Sequence, residues 1–245
     1  MYTLVLQKTE GDMGEFPLTK YLHDFLVKTE AEGIIVWPGY LSRTEKKTHE
    51  LLDRFLKDTK IRRFGMGNPC YFECGKDKNG NILENSRQSY IFHAKYLYSA
   101  NKWLSMYRNY KSDHSKMMVI FKRAPGEAEL PQKLYKKNDC GKFLEKIDII
   151  GMVIGSSNFS NNTFLSLKAD KGETDLFMFW GEEDGEAYKL NEAFADDVKK
   201  QLGYDKQTGE AQDQYKAILF ENKTFAPNDY FEKILRAKLE KTLND

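Results

Sequence analysis

The sequence has almost no excess charge of either sign, since 38 Lys plus Arg stand against 37 Asp plus Glu. That balance excludes a disordered polyelectrolyte. It also removes any global attraction to phosphate polymers, so binding of that kind must be confined to a local basic cleft. Cysteine is scarce: Cys70, Cys74 and Cys140 cannot all pair with one another. No second cysteine pair or histidine cluster completes a zinc site around Cys70 and Cys74, and reduced thiols are expected. No window approaches the ~18 apolar residues of a spanning helix. The opening M-Y-T-L-V-L-Q-K-T-E has only a short apolar stretch and no basic leader, so a cytoplasmic protein with no membrane association is expected. There is no cluster of Asp and Glu able to hold Mg²⁺ and no Walker-type glycine loop, so no metal or cofactor is expected. Internal repeats and low-complexity segments are also missing.

What is present is a sizeable core. Hydrophobic residues make up 40% of 245, with 16 Phe and 14 Tyr, enough for one large domain but not for two full-size catalytic ones. Residues 2–7 alternate as a strand, and Leu18, Tyr21, Leu22, Phe25 and Leu26 fall at helical spacing within 17–30. The continuous run G-I-I-V-W-P-G-Y-L suits a strand buried on both faces. Ser42 and Thr44 can cap a helix over about 43–58, and a short strand near 62–66 completes a strand–helix–strand unit with a parallel pair.

The turn signal D-K-N-G-N at 77–81 predicts a hairpin into a strand over Ser89–Leu97. Residues 114–122, 146–156 and 175–180 read as further strands. The polar stretch between the first two, about 123–145, reads as an inserted surface loop or small flap. A helix through about 201 and a terminal amphipathic helix follow. The expected fold class is α/β with one main sheet. His23 and His49 lie on helical stretches among Lys and Glu and are expected to be exposed.

The chemistry-bearing residues are clustered. Asp113-His114-Ser115-Lys116 opens the strand M-M-V-I-F, and in a strand His114 and Lys116 leave the same face. A later strand ends in Gly155-Ser156-Ser157-Asn158, and Glu173 precedes the strand D-L-F-M-F-W. A phosphate site needs such groups: Lys for compact positive charge, Asn and Ser for oriented donors, His as nucleophile or proton carrier. With no carboxylate cluster nearby, phosphoryl chemistry here is expected to be metal-independent, a cationic cradle doing the charge stabilisation.

H-S-K-M-M-V-I-F, I-G-S-S-N-F-S and E-T-D-L-F-M-F together resemble the phospholipase D superfamily, whose signature is His-x-Lys, a hydrophobic strand, Gly-Ser-x-Asn and a later Glu. The run from Gly33 and its following helix resemble the same family's early strand and helix, so the likeness covers about residues 30–182. It implies a mixed sheet flanked by helices with one catalytic motif per chain. The domain plan is then a catalytic domain over 1–182, with the 123–145 insertion, and a helical extension over 183–245 packed on it. The family's Asp, usually a few residues past the Lys, is not found: Ile120 and Phe121 stand there, and Asp148, beyond the 123–145 insertion, is not assigned the role.

The resemblance further implies that His114 attacks phosphorus to form a phosphohistidine or serves as the acid/base counterpart. Lys116 and Asn158 would bind non-bridging oxygens with Ser156 in support, and Glu173 would orient His114. That chemistry uses two histidines on one phosphate, whereas the chain offers one Gly-Ser-x-Asn unit. A two-fold homodimer with the site on its axis resolves the mismatch. A second His-x-Lys, His93-Ala94-Lys95, is the competing catalytic pair; the purer strand after His114, able to hairpin into the one ending at Asn158, favours His114.

The expected activity is that of an endonuclease, restriction-type or non-specific, acting on DNA, in the style of the family's small dimeric and metal-independent restriction enzymes. Alternatives are a lipid phosphodiesterase or phosphatidyltransferase using the same residues, and a catalytically degenerate DNA-binding member. Positive potential is expected from Arg62, Arg63, Arg123, Lys133, Lys136 and Lys137. Trp103, Tyr107 and Tyr110 beside Lys102, Arg108 and Lys111 read either as a half-buried edge, the commoner case for such a pattern, or as a surface that stacks bases and holds phosphates.

Overall fold

Alternation of buried and exposed residues along Tyr2–Lys8 makes the first strand, β1, with Leu4 and Leu6 pointing inward. In chain order there follow α1 (Pro17–Lys28), β2 (Gly33–Pro38), α2 (Glu45–Leu56), β3 (Arg63–Met66), α3 (Asn85–Ser99) and β4 (Ser105–Met106). Next come β5 (Lys116–Arg123), β6 (Lys133–Leu134), α4 (Asp139–Leu144), β7 (Ile147–Gly155) and α5 (Asn161–Leu165). The chain continues through β8 (Glu173–Phe179), α6 (Glu186–Gln201), β9 (Ala217–Glu221) and α7 (Pro227–Thr242). This computed structural model describes residues 1–14, 16–42, 44–67, 85–106, 113, 115–166, 172–181, 185–203, 217–221 and 227–243.

Among the described residues, seven strands form one mixed sheet in the order β3-β2-β5-β7-β8-β1-β9, accompanied by seven helices. Within this sheet the β2–β3 pair is parallel, as its connection through α2 requires, and the other pairings are antiparallel; β4 and β6 form a separate parallel pair. Thr44 accepts a hydrogen bond from the Lys47 amide at 3.3 Å and so caps α2.

The sheet is buried on both faces at its centre, which is why the strands there are apolar without alternation. Ile34 and Val36 of β2 enter one core with α1, α2, α3 and α6; Ile35 and Trp37 enter a second core with α4 and α7. Toward the β9 edge the second face loses its cover. Ile154, Leu176 and Ile218 are exposed there, joined through Val5 in one row across β7, β8, β1 and β9, and Phe220 is exposed beside them.

Three elements differ from the sequence reading. Ser89–Leu97 belongs to helix α3, not to a hairpin strand. Tyr90, His93 and Leu97 recur at helical spacing on its buried side, and that periodicity prevails over the β-forming aromatics between them. The turn signal at 77–81 lies outside the described residues. The 123–145 stretch is more than a surface loop: Leu130, Leu134, Cys140, Phe143 and Leu144 are all buried in the second core. The 183–245 segment is not wholly helical, since β9 adds the edge strand beside β1. Among the described residues no helix is long and apolar enough to cross a membrane.

Candidate active site

Four strand ends meet at one end of the sheet because of register. Pro38 of β2 lies opposite Lys116 of β5, Met117 pairs with Ile154, and Gly155 at the end of β7 pairs with Asp175 of β8. The Gly155-Ser156-Ser157-Asn158 turn therefore emerges beside Lys116, although the two are remote in sequence. Behind the turn, Phe159 is buried against Phe55, Phe64 and Phe164, anchoring it in the first core.

Gly39 is the point of convergence. It adopts φ +63°, and a Cβ there would sit 2.6 Å from Asn158 Oδ1 and 3.0 Å from Lys116 Cγ. The Tyr40 amide donates to Asn158 Oδ1 at 3.1 Å, and the Phe159 amide donates to Pro38 O at 3.0 Å. With its carbonyl oxygen held by an N–H, Asn158 turns its Nδ2 group, a pure donor, the other way. A half-buried ammonium and an oriented amide donor on either side of a glycine make a cradle suited to an oxyanion.

Ser156 and Glu173 adjoin this cradle. Ser156 Oγ donates to Glu173 Oε2 at 2.5 Å and accepts from the Thr174 amide at 2.8 Å. Below them lies a residue that the sequence reading missed. Asp175 is buried; its carboxylate accepts from the Ser157 amide at 3.2 Å and from Ser157 Oγ. Burial pushes its pKa up to about 6, against the opposing pull of the two Ser157 hydrogen bonds. The signal was its parity: Asp175 shares the inward side of β8 with Phe177 and Phe179.

His114 lies outside the described residues; Asp113 and Ser115 on either side of it are described. Asp113 Oδ1 accepts from the Ser115 amide at 2.8 Å and from Ser115 Oγ at 2.5 Å, while Oδ2 accepts from Lys238 Nζ at 2.5 Å. Burial alone would raise the Asp113 pKa, but the Lys238 and Ser115 hydrogen bonds outweigh it and hold the carboxyl below the ordinary aspartate range.

The alternative pair is built differently. His93 is fully buried on α3, with Nδ1 2.8 Å from Ser89 O, 3.5 Å from Thr48 Oγ1, and its ring 6.0 Å from that of Phe159. Burial drives its pKa down to about 4, so the ring is neutral near pH 7. Lys95 is exposed; on a helix, residues two apart diverge, and the shared face expected of a strand is lost.

Other expectations are corrected by position. β5 and β7 run antiparallel, so Asp148 sits beside Lys122 at the opposite end of the hairpin from Lys116, and Ile120 and Phe121 fill the two cores. Arg62 and Arg123 pair with Glu32 at 3.9 and 2.9 Å, and Arg63 Nε donates to Leu130 O and Pro131 O. These arginines gather at the far end of β5, about 23 Å from Lys116 by strand rise. Lys133 lies over the Tyr135 ring. Trp103 is half-buried against Tyr90, and Lys102 donates to Ile61 O; Tyr107, Arg108, Tyr110 and Lys111 lie outside the described residues. His23 and His49 are half-buried rather than exposed. Cys140 is a free buried thiol, its pKa raised to about 11 by burial, and Cys70 and Cys74 lie outside the described residues.

Among the described residues no group of three or more His, Cys, Asp or Glu side chains stands where it could hold a metal ion. No protein-family model matches the chain, and no curated protein is significantly similar to it.

Proposed function

We propose that this chain is a metal-independent phosphodiesterase of the phospholipase D type, cleaving DNA in a homodimeric site. The observation that carries the reading is the meeting of Lys116 and Asn158 around Gly39, with the Asn158 amide turned by the Tyr40 N–H. Two donors of that kind would bind the non-bridging oxygens of a phosphodiester and stabilise the charge that grows on them during attack.

His114, two residues before Lys116, would attack phosphorus. A nitrogen–phosphorus bond forms and a phosphorus–oxygen bond breaks. The leaving oxygen takes a proton from His114 of a second copy. That same imidazole then removes a proton from water, which attacks phosphorus and releases the first histidine. One motif per chain and two histidines per reaction call for a two-fold dimer. The apolar row of Ile154, Leu176, Val5 and Ile218 begins beside Gly155, which favours a contact between copies adjoining the cradle.

The test is cleavage in EDTA of plasmid DNA, single-stranded DNA, RNA and a labelled phospholipid by the purified chain. DNA cleavage is expected without added metal, and His114→Ala should lower it on the order of 10³-fold or more. Lys116→Met and Asn158→Ala should each cost about 10²–10³ in kcat. Strict dependence on Mg²⁺, or undiminished activity in His114→Ala, would overturn the mechanism. Turnover of phospholipid alone would transfer the same chemistry to a lipid substrate.

A further inference from the structure

The loop that opens β5 is tied to the other end of the chain. Lys238 of α7 donates to Asp113 Oδ2 at 2.5 Å and also to Ser115 Oγ. Ser115 Oγ in turn donates to Asp113 Oδ1. The three side chains close a ring around the backbone on either side of His114. The Lys238 and Asp113 side chains are only 14% and 13% exposed, so both charges have given up most of their water and depend on each other.

The same helix grips the neighbouring strand. Lys238 Nζ lies 5.7 Å from the centre of the Trp37 ring, and Trp37 Nε1 donates to Thr242 Oγ1 at 3.0 Å. Thr242 Oγ1 donates back to Lys238 O at 2.7 Å. Trp37 is fully buried and immediately precedes Pro38 and Gly39. One turn of α7 therefore holds both the strand that leads to Gly39 and the Asp113 and Ser115 side chains just ahead of Lys116.

We infer that Lys238 is a positioning residue of the phosphodiester site, holding Asp113 and Ser115, the two neighbours of His114 in the chain, immediately ahead of Lys116. The inference rests on the reading of His114 as the reacting residue. Two of the three ammonium protons of Lys238 are committed to Asp113 and Ser115, so its task is orientation of the loop. A desolvated ion pair of this kind selects one arrangement of the chain more than it adds stability.

The test compares Lys238→Met, Lys238→Arg and, as control, Lys233→Met, which removes an exposed charge from the same helix. DNA cleavage in EDTA is measured together with hydrogen exchange at the Ser115 amide. Lys238→Met is expected to lower kcat about tenfold to a hundredfold with KM within about twofold, the signature of a displaced reacting group. The Ser115 amide, losing a well-oriented acceptor, should exchange about fivefold faster. Lys238→Arg should recover most of both, and Lys233→Met should change neither. Full kcat in Lys238→Met, a rise in KM alone, or an equal loss in Lys233→Met would overturn the inference. If the unmodified chain cleaves no phosphodiester, the functional reading falls, and unchanged Ser115 exchange in Lys238→Met would separately refute the clamp. Should Lys238→Met not fold, Asp113→Asn keeps the shape and removes the charge; unchanged kcat and Ser115 exchange there would refute it equally.

Discussion

Asp175 and His93 are buried ionisable groups on either side of the Ser156–Phe159 turn, and burial shifts them in opposite senses. Asp175 titrates at about 6 instead of 3.8, so between about pH 4 and 6 the native state keeps a proton that the unfolded chain has released. Its contribution to stability is complete below that window and falls by about 3 kcal/mol as pH rises through it. His93 titrates at about 4 instead of 6.5, so there the unfolded chain holds the extra proton, and stability falls by about 3 kcal/mol as pH drops from 6.5 to 4. The two slopes oppose each other over most of the range. In urea unfolding at a series of pH values, Asp175→Asn should therefore leave stability rising with pH from 4 to 6.5. His93→Met should leave it falling between pH 4 and 6. Identical profiles for the two variants would contradict the burial of either group. The setting of His93 was hidden beforehand, because F-H-A-K invites a strand reading, and that of Asp175 was signalled only by its parity with Phe177 and Phe179 in E-T-D-L-F-M-F.

The elements that carry the cradle were the legible part of the fold. The apolar runs of β2, β5 and β7 and the polar residues at their ends locate the site, because strands of that kind place terminal side chains together whenever their register is aligned. α3 was not legible, because Tyr90, Ile91 and Phe92 favour a strand locally and only the contacts of Tyr90, His93 and Leu97 with the first core decide for a helix. The basic residues misled for a related reason. Charge counts along the chain do not reveal that Arg62 and Arg123 turn to Glu32 at the far end of β5. Gly39 is the element-scale test. Gly39→Ala forces a side chain into the left-handed region and against Asn158, and should cost about 1–2 kcal/mol from the backbone alone. Activity should fall more than stability, since Lys116 and Asn158 must part to admit the Cβ. Full activity with an unchanged unfolding midpoint would show that the two side chains do not need this spacing.

On the scale of the whole molecule, one face of the sheet is only half covered. α4 and α7 protect the β2–β5–β7 side, while Ile154, Leu176, Ile218 and Phe220 stay exposed toward the β9 edge. A contiguous apolar row on an antiparallel sheet is costly in water and suits contact with a second copy. If the proposed dimer forms through this row, Leu176→Asp combined with Ile218→Asp should give monomers in sedimentation, with the proposed DNA cleavage lost in proportion and folding retained, since both side chains already face solvent. A variant that stays dimeric and active would move the two-fold axis elsewhere. Sequence alone supplied the mismatch between one motif and two histidines; it carried no indication of which surface would resolve it, because strand order depends on pairings between distant segments.

The second core also has an order of assembly in time. Ile35, Trp37, Val119 and Phe121 emerge early in synthesis, yet part of their cover comes from Phe231, Leu235, Leu239 and Leu243. Until residues 227–243 leave the ribosome, the nascent chain presents a broad apolar sheet surface, the kind that chaperones retain. Burial of that face of β2 and β5 therefore waits for α7, and until then the unfinished chain is open to aggregation.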